Sequence, residues 1–178
     1  MSGKYLSWIL RHRPDALGLT LQPGGWVDVE ALLKGLEATE HAMSFGVLRA
    51  TVAADSKGRF SFDADETRIR ANQGHSATVE LQLLAEDPPS VLFHGTVARF
   101  LDSIRAVGLL RGERHHVHLA SNEASAIEVG SRRGRPILLR IDSAQMKADG
   151  YVFYCSTNGV WLTESVPPGY LTELAANS

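Results

Sequence analysis

Ile69-Arg70-Ala71-Asn72-Gln73-Gly74-His75-Ser76 lies near the midpoint of a 178-residue chain. Six of these eight residues are polar or glycine, so the stretch is not an ordinary core strand. A cation, two amides, an imidazole and a hydroxyl are gathered around one glycine. Such a composition forms either a set of donors aimed at a ligand or a solvated loop, and these residues alone leave both open.

Working outward toward the N-terminus, Phe60-Ser61-Phe62 and Arg68-Ile69-Arg70 read as the two strands of a hairpin. Ser44 is placed to cap a helix from Phe45 to Ala54, and Asp28 to cap one from Val29 to about Thr39. Pro23-Gly24-Gly25 is a turn before a short strand at Trp26-Val27. Tyr5, Leu6, Ile9 and Leu10 share one side of a helix from Ser2 to about Leu10. Pro14 disfavours helix in the residue before it, so Arg11 and His12 fall in the last turn, where cations are favoured. Helix, short strand, helix, helix and two-stranded wing is a winged-helix order, found in nucleic-acid binders and in plain interaction modules alike. Residues 1–87 carry nine basic and twelve acidic side chains, so any grip on RNA must be local.

Toward the C-terminus, Ala85-Glu86-Asp87-Pro88-Pro89 reads as a linker, which divides the chain into residues 1–87 and 88–178. Val91-Leu92-Phe93 enters a buried strand that ends at His94-Gly95-Thr96, with Thr96 as a candidate helix cap. Phe100, Leu101, Ile104 and Val107 mark a helix stopped by Gly108. His116-Val117-His118-Leu119 is a strand, Ser121 or Asn122 caps a short helix ending at Gly130, and Ser131-Arg132-Arg133-Gly134-Arg135-Pro136 is a basic loop. Ile137 to Ile141 is a buried strand. Tyr151 to Tyr154 and Val160 to Leu162 form a hairpin around Asn158-Gly159. The fold class is therefore α+β, with a split or sandwiched sheet in the second half. No glycine-rich loop joins a strand to a helix, which excludes a Rossmann or P-loop site.

The net charge of −2 gives no global basic field, but the cations are skewed to fourteen Arg against four Lys. Arginine binds phosphate and carboxylate in a forked manner that lysine cannot match, although compositional bias explains such an excess equally well. A single cysteine, Cys155, excludes an internal disulfide and a cysteine-based zinc site, and suits a reducing cytoplasm. No apolar run approaches a membrane span or a signal peptide, and the absence of a heptad pattern suggests a monomer. His94, His115, His116 and His118 fall within 25 positions. No acidic or cysteine partner stands at ligand spacing beside them, so hydrogen bonding or packing is expected there rather than metal. His94-Gly95-Thr96 can offer a ribose an imidazole, an open backbone and a hydroxyl, or can simply be a strand-to-helix turn. Arg11, His12 and Arg114 read on their own as solvated cations. Arg132, Arg133 and Arg135 form a solvated turn, or touch pyrophosphate or RNA.

Taken in order, LSWILRHRP, GLTLQPGGWVDVEALL, RFSFD, IRANQGHS, LFHGT, RHHVHL, VGSRRGRPILL and DGYVFYCSTNGVWLTESVP resemble the tRNA 2′-phosphotransferase family, the KptA-type NAD-dependent enzymes. The match runs from about Tyr5 to Tyr170, and IRANQGHS is its most specific part. The resemblance implies an N-terminal winged-helix RNA lobe and a C-terminal ADP-ribosyltransferase-like NAD lobe. It implies removal of an internal RNA 2′-phosphate of the kind left by tRNA splicing. The 2′-phosphate first attacks the anomeric carbon of the nicotinamide ribose. The neighbouring ribose hydroxyl then attacks the phosphorus, giving 2′-OH RNA and ADP-ribose 1″,2″-cyclic phosphate. It further implies a catalytic set of Arg11, His12, Arg70 and Arg114, with Arg70 facing the phosphate between Arg11/His12 and Arg114. His94, Gly95 and Thr96 are implied as NAD contacts, and Asn72 and Gln73 as lining the same cleft. Within the matching segments His118, Gly130 and Arg132 are further candidates for NAD.

The chain departs from the family pattern in two places. The serine after HVHL is Ala120, and the loop Arg-His-Gly-Lys-Pro has Arg133 and Arg135 in place of its histidine and lysine. Asn158-Gly159-Val160-Trp161 lacks the glutamate that many ADP-ribosyltransferases carry after the last hairpin turn. That favours a phosphate acceptor over protein modification. Two rival expectations remain: an ADP-ribosyltransferase acting on nucleic-acid end phosphates or another acceptor, and a non-catalytic winged-helix RNA-binding module.

Overall fold

The computed structural model describes residues 3–174. The chain is α+β and divides into two compact units, Met1–Leu83 and Leu84–Ser178. The division falls before the expected linker. Ala85 bridges Tyr154, the Glu86 N–H donates to the Phe153 carbonyl at 2.9 Å, and Asp87 pairs with Lys147, all within the second unit. Apart from the isolated bridge at Ala85, residues 72–90 hold no helix or strand, so the expected linker is the later part of a longer irregular stretch.

In the first unit α1 spans Gly3–Arg11 and buries Leu6, Ile9 and Leu10, residues spaced to share one face. It yields to a 3-10 turn at Pro14–Leu17, which Gly18 ends at φ 65°. β1 is Trp26–Asp28 and α2 is Val29–Glu37. Asp28 Oδ1 accepts from the Ala31 N–H at 2.9 Å, a cap of the kind that contributes about 1 kcal/mol. α3 is Phe45–Ala53, capped by Ser44. β2 (Phe60–Phe62) and β3 (Arg68–Ala71) complete an antiparallel sheet ordered β1-β3-β2. β3 is central, and its alternation serves both faces. Ile69 and Ala71 enter a core shared with Leu10, Leu32 and Leu48. Arg70 stands opposite Trp26 across β1.

In the second unit β4 is Val91–Val97 and α4 is Ala98–Val107, followed by β5 (Leu109–Leu110), β6 (Val117–Leu119) and α5 (Glu123–Ser131). β7 is Pro136–Asp142, α6 is Ser143–Ala148, β8 is Tyr154–Cys155 and β9 is Trp161–Thr163. β10 (Ser165–Val166) and β11 (Leu171–Leu174) end the described chain. The strands form small antiparallel sheets ordered β11-β7-β4, β6-β9-β8 and β10-β5. Phe93 and Ala120 exchange two backbone hydrogen bonds of 2.8 Å, which tie β4 to the end of β6. Leu92, Leu139, Ile141, Met146 and Phe153 fill the core.

Two local expectations are corrected. The strand does not end at His94-Gly95-Thr96 but runs to Val97, because Thr96 pairs with Ile137 and is buried. Thr96 therefore caps nothing; Val97 precedes α4 without a side-chain cap. The helix expected around Phe100, Leu101, Ile104 and Val107 is α4, with Gly108 after its last turn; Leu101 and Ile104 pack on the core, while Val107 is exposed. Among the described residues no helix is long and apolar enough to cross a membrane.

Candidate functional site

In the first unit the octapeptide folds back on the end of α1. The Ser76 and Ala77 N–H groups both donate to the Arg11 carbonyl, at 2.9 and 3.0 Å. That carbonyl belongs to the last turn of a helix, where no intrahelical donor remains for it. The same fold-back brings Ser76 Oγ to 2.8 Å from His12 Nδ1, between residues 64 positions apart in sequence. The backbone can turn here because Gly74 takes φ 85°, and the Arg11 guanidinium carbon lies 3.6 Å from where a Gly74 Cβ would stand. One glycine thus bends the chain and accommodates the arginine.

Arg70 leaves the sheet on the face opposite Ile69, with its guanidinium 4.5 Å from the centre of the Trp26 ring. Arg68 approaches the same ring at 5.4 Å. Partial burial lowers the Arg70 pKa, but a guanidinium remains charged at any working pH. Asn72 is largely committed to the scaffold: its N–H donates to the Arg59 carbonyl at 2.9 Å and its Nδ2 to the Gly58 carbonyl at 2.7 Å. Because Nδ2 must face that carbonyl, the opposite atom, buried and without a protein partner, is the acceptor Oδ1.

In the second unit His94 Nδ1 lies 3.0 Å from the His118 carbonyl. A carbonyl only accepts, so Nδ1 carries the proton and Nε2 of the neutral ring is left as an acceptor. Desolvation lowers the His94 pKa, the hydrogen bond to His118 raises it less, and the charge of Arg133 lowers it further. The imidazole thus stays neutral below the usual histidine range. Arg114 Nη1 is 3.5 Å from the His118 ring at Nδ1, so the two candidates are joined through His118. The Arg114 side chain reaches the surface, yet partial desolvation and the Arg133 charge lower its pKa.

A cavity of about 180 Å³ opens beside these groups, lined by His94, Gly95, His118, Ser121, Ser125 and Asn158 among others. Thr96, Gly130 and Arg132 do not line it. Gly130 instead packs on Gly95: a Cβ on Gly95 would stand 1.8 Å from the Ala126 carbonyl oxygen, and one on Gly130 3.1 Å from the Gly95 carbonyl carbon. Both glycines bring α5 onto β4. Arg132 forms an ion pair with Glu128 on its own helix at 3.1 Å.

Ser121, Ser125 and the Asn158-Gly159-Val160 turn also line the cavity, and nothing local in the sequence marks the two serines as lining residues. The turn was legible as a hairpin, but its approach to β4 depends on long-range pairing. Ser76 was visible only as a hydroxyl, and Trp26 only as a strand residue. Among the described residues, no group of three or more His, Cys, Asp or Glu side chains is placed to hold a metal ion.

Residues 1–165 match the profile of the RNA 2′-phosphotransferase, Tpt1 / KptA family. The chain belongs to this family. It is 48% identical over 171 residues to a probable RNA 2′-phosphotransferase of Acaryochloris marina, covering 96% of this chain and 94% of that protein. A protein of the same description from Pseudomonas aeruginosa strain PAO1 is 49% identical over 173 residues, covering 97% of this chain and 95% of the relative. One from Nostoc punctiforme is 49% identical over 171 residues, covering 96% and 94%.

Proposed function

We propose that this chain removes a 2′-phosphate from RNA in two steps that consume NAD. In this reading the first unit is a winged-helix RNA lobe and the second an ADP-ribosyltransferase-like NAD lobe. The observation that carries the reading is the 2.8 Å bond between His12 and Ser76. It aims the one proton carrier of the proposed catalytic set, next in sequence to an arginine whose carbonyl the same segment holds.

The second unit suits one end of a dinucleotide. Its cavity, about 180 Å³, is smaller than the roughly 300–1,000 Å³ of pockets that enclose whole ligands. His94 Nε2 offers an acceptor to a ribose hydroxyl, with Ser121, Ser125 and Asn158 as further polar groups. When bound, NAD supplies an electrophilic anomeric carbon and nicotinamide as a neutral leaving group. In the first step a 2′-phosphate oxygen bonds to that carbon as the bond to nicotinamide breaks, and no acid is required. In the second step the adjacent ribose hydroxyl bonds to phosphorus and the bond to the RNA 2′-oxygen breaks. The hydroxyl loses a proton and the RNA oxygen gains one; His12 carries it. Arg11, Arg70 and Arg114 act on the charge that gathers on the phosphate oxygens. The products are 2′-OH RNA and ADP-ribose 1″,2″-cyclic phosphate.

The test is incubation with NAD and an oligonucleotide carrying one internal 2′-phosphate. Cyclic-phosphate product supports the reading. A stable ADP-ribosyl adduct from the unaltered protein supports a transferase to phosphate ends or other acceptors, and no nicotinamide release supports a binding module. His12→Ala or Arg114→Ala should slow the second step more than the first, by about 10²–10⁴-fold for the histidine and 10²–10³-fold for the arginine. The ADP-ribosylated RNA then accumulates. Mutants that leave only untouched 2′-phosphate RNA would remove these residues from the second step.

A further inference from the structure

The β4–β7 ladder ends at Val97 opposite Pro136, so residues 98–100 and 133–135 leave the second unit's sheet at the same end. The backbone at Gly134 passes near that end: a Cβ built on it would stand 3.8 Å from Val97 Cγ1. Phe100 is 37% exposed, and two guanidiniums lie over its ring: Arg99 at 4.8 Å and Arg133 at 5.9 Å from the centroid. Arg135, exposed, follows in the same loop. The carboxylates of the adjoining helices pair with other arginines, Glu128 with Arg132 and Asp102 with Arg105. Among the described residues Arg99, Arg133 and Arg135 have no ion pair.

An ordinary solvated face intersperses both signs, whereas these three arginines carry one sign of charge outside any ion pair. Arg99 lies in the first turn of α4, which has no acidic residue, and a cation there opposes the helix dipole. The unpaired like charges and the cation at the start of α4 each disfavour the isolated protein and favour a bound polyanion. We propose that Arg99, Phe100, Arg133 and Arg135 form an RNA-anchoring surface on the second unit. The arginines contact backbone phosphates, and the Phe100 ring stacks on a base some nucleotides away from the reacting phosphate. Guanidiniums with an exposed ring match the chemistry of single-stranded nucleic acid, which has phosphates for the cations and a π-face on every base. The charge of Arg133 is felt at His94 and Arg114, so the surface adjoins the NAD-side groups. The inference rests on RNA being the substrate.

The test compares a 2′-phosphorylated dinucleotide with a single-stranded RNA extending well beyond the modified residue. Binding of the long RNA is measured directly, with and without its 2′-phosphate, across a range of salt. Arg99→Glu combined with Arg135→Glu should weaken long-RNA binding about tenfold and reduce the salt slope by about 1.4, as loss of two phosphate contacts to a single strand requires. Nicotinamide release with the dinucleotide should stay at the wild-type rate. Phe100→Ala should weaken the long RNA about fivefold or more with an unchanged salt slope, because stacking releases no counterions. Equal losses for dinucleotide and long RNA would assign the arginines to NAD or the reacting phosphate. No loss for either would make the patch a solvated face or a protein contact. Both results overturn the proposal. Failure of the underlying reading appears separately, as wild-type protein that binds the long RNA but releases no nicotinamide.

Discussion

His12 and His94 are held in opposite ways. His12 follows a helix end and meets a side-chain hydroxyl, Ser76 Oγ, at 2.8 Å. His94 lies within a strand and meets a backbone carbonyl, that of His118, at 3.0 Å. A hydroxyl can donate or accept, so the His12 ring keeps a partner in either tautomer and when protonated. A carbonyl only accepts, so the neutral His94 ring has one tautomer. The first arrangement suits a group that moves a proton; the second suits a group that presents a fixed acceptor. The comparison also separates what mutation can reach: Ser76 can be truncated, whereas the carbonyl opposite His94 can be moved only by moving β6.

The largest effect expected from this contrast concerns backbone approach. Gly95→Ala would put a Cβ 1.8 Å from the Ala126 carbonyl oxygen, so β4 and α5 must separate and His94 moves with its strand. Overpacking of this kind costs about 1–3 kcal/mol, and a backbone obstacle argues for the upper end. Gly74→Ala is the counterpart in the first unit. Its nearest neighbour is an arginine side chain at 3.6 Å, so the cost is the strain at φ 85°, about 1 kcal/mol. Chemical denaturation of both variants measures the difference. A Gly95→Ala protein within about 0.5 kcal/mol of the parent would show that the strand–helix contact is not tight.

That difference also explains what the sequence made legible. α2 and α3 begin with Asp28 and Ser44, whose side chains accept from Ala31 and Val47, and cap chemistry is local. The strands Phe60–Phe62 and Arg68–Ala71 follow from alternation and a turn. The placement of β3 between β1 and β2 does not, because it depends on pairing at long range. In the second unit α6, β5, β10 and β11 are short and carry weak periodicity, so nothing local in the sequence marks them. Candidate residues divide the same way. Arg11 and His12 were readable as a helix end. The packing of Gly95 on Ala126 and Gly130, and the pairing of Arg132 with Glu128, exist only once α5 lies on β4 and forms its own turns.

A second prediction isolates the adjustable partner of His12. Ser76→Ala removes one hydroxyl and leaves the backbone strap to Arg11 in place. A hydrogen bond of this kind contributes about 0.5–1.5 kcal/mol, so the second step should slow by roughly two- to tenfold. In a His12→Ala background the same change should have no further effect, because the serine acts only through the imidazole. Single-turnover measurement of both steps provides the check. An effect of Ser76→Ala that persists without His12 would give the serine a role of its own.

The smallest effect is the pH response of the fixed histidine, and its sign follows from the site. An unperturbed imidazole titrates near 6.5, and burial holds His94 below that value. Between the depressed folded value and about 6.5 the unfolded chain binds more protons than the folded one. Stability from His94 therefore rises with pH across this window and is lost as pH falls through it. The ring also loses its Nε2 acceptor only at the lower, folded value, so the site remains competent through mildly acidic conditions. Arg133 contributes to the depression through its charge. Arg133→Ala should accordingly move the His94 titration upward, toward the ordinary range, and bring the loss of the acceptor closer to neutral pH. An NMR titration of the His94 ring, with and without Arg133, reads this directly and needs no substrate. A wild-type His94 titrating near 6.5, or one that Arg133→Ala leaves unmoved, would mean that the carbonyl of His118 holds the ring without its surroundings suppressing its charge.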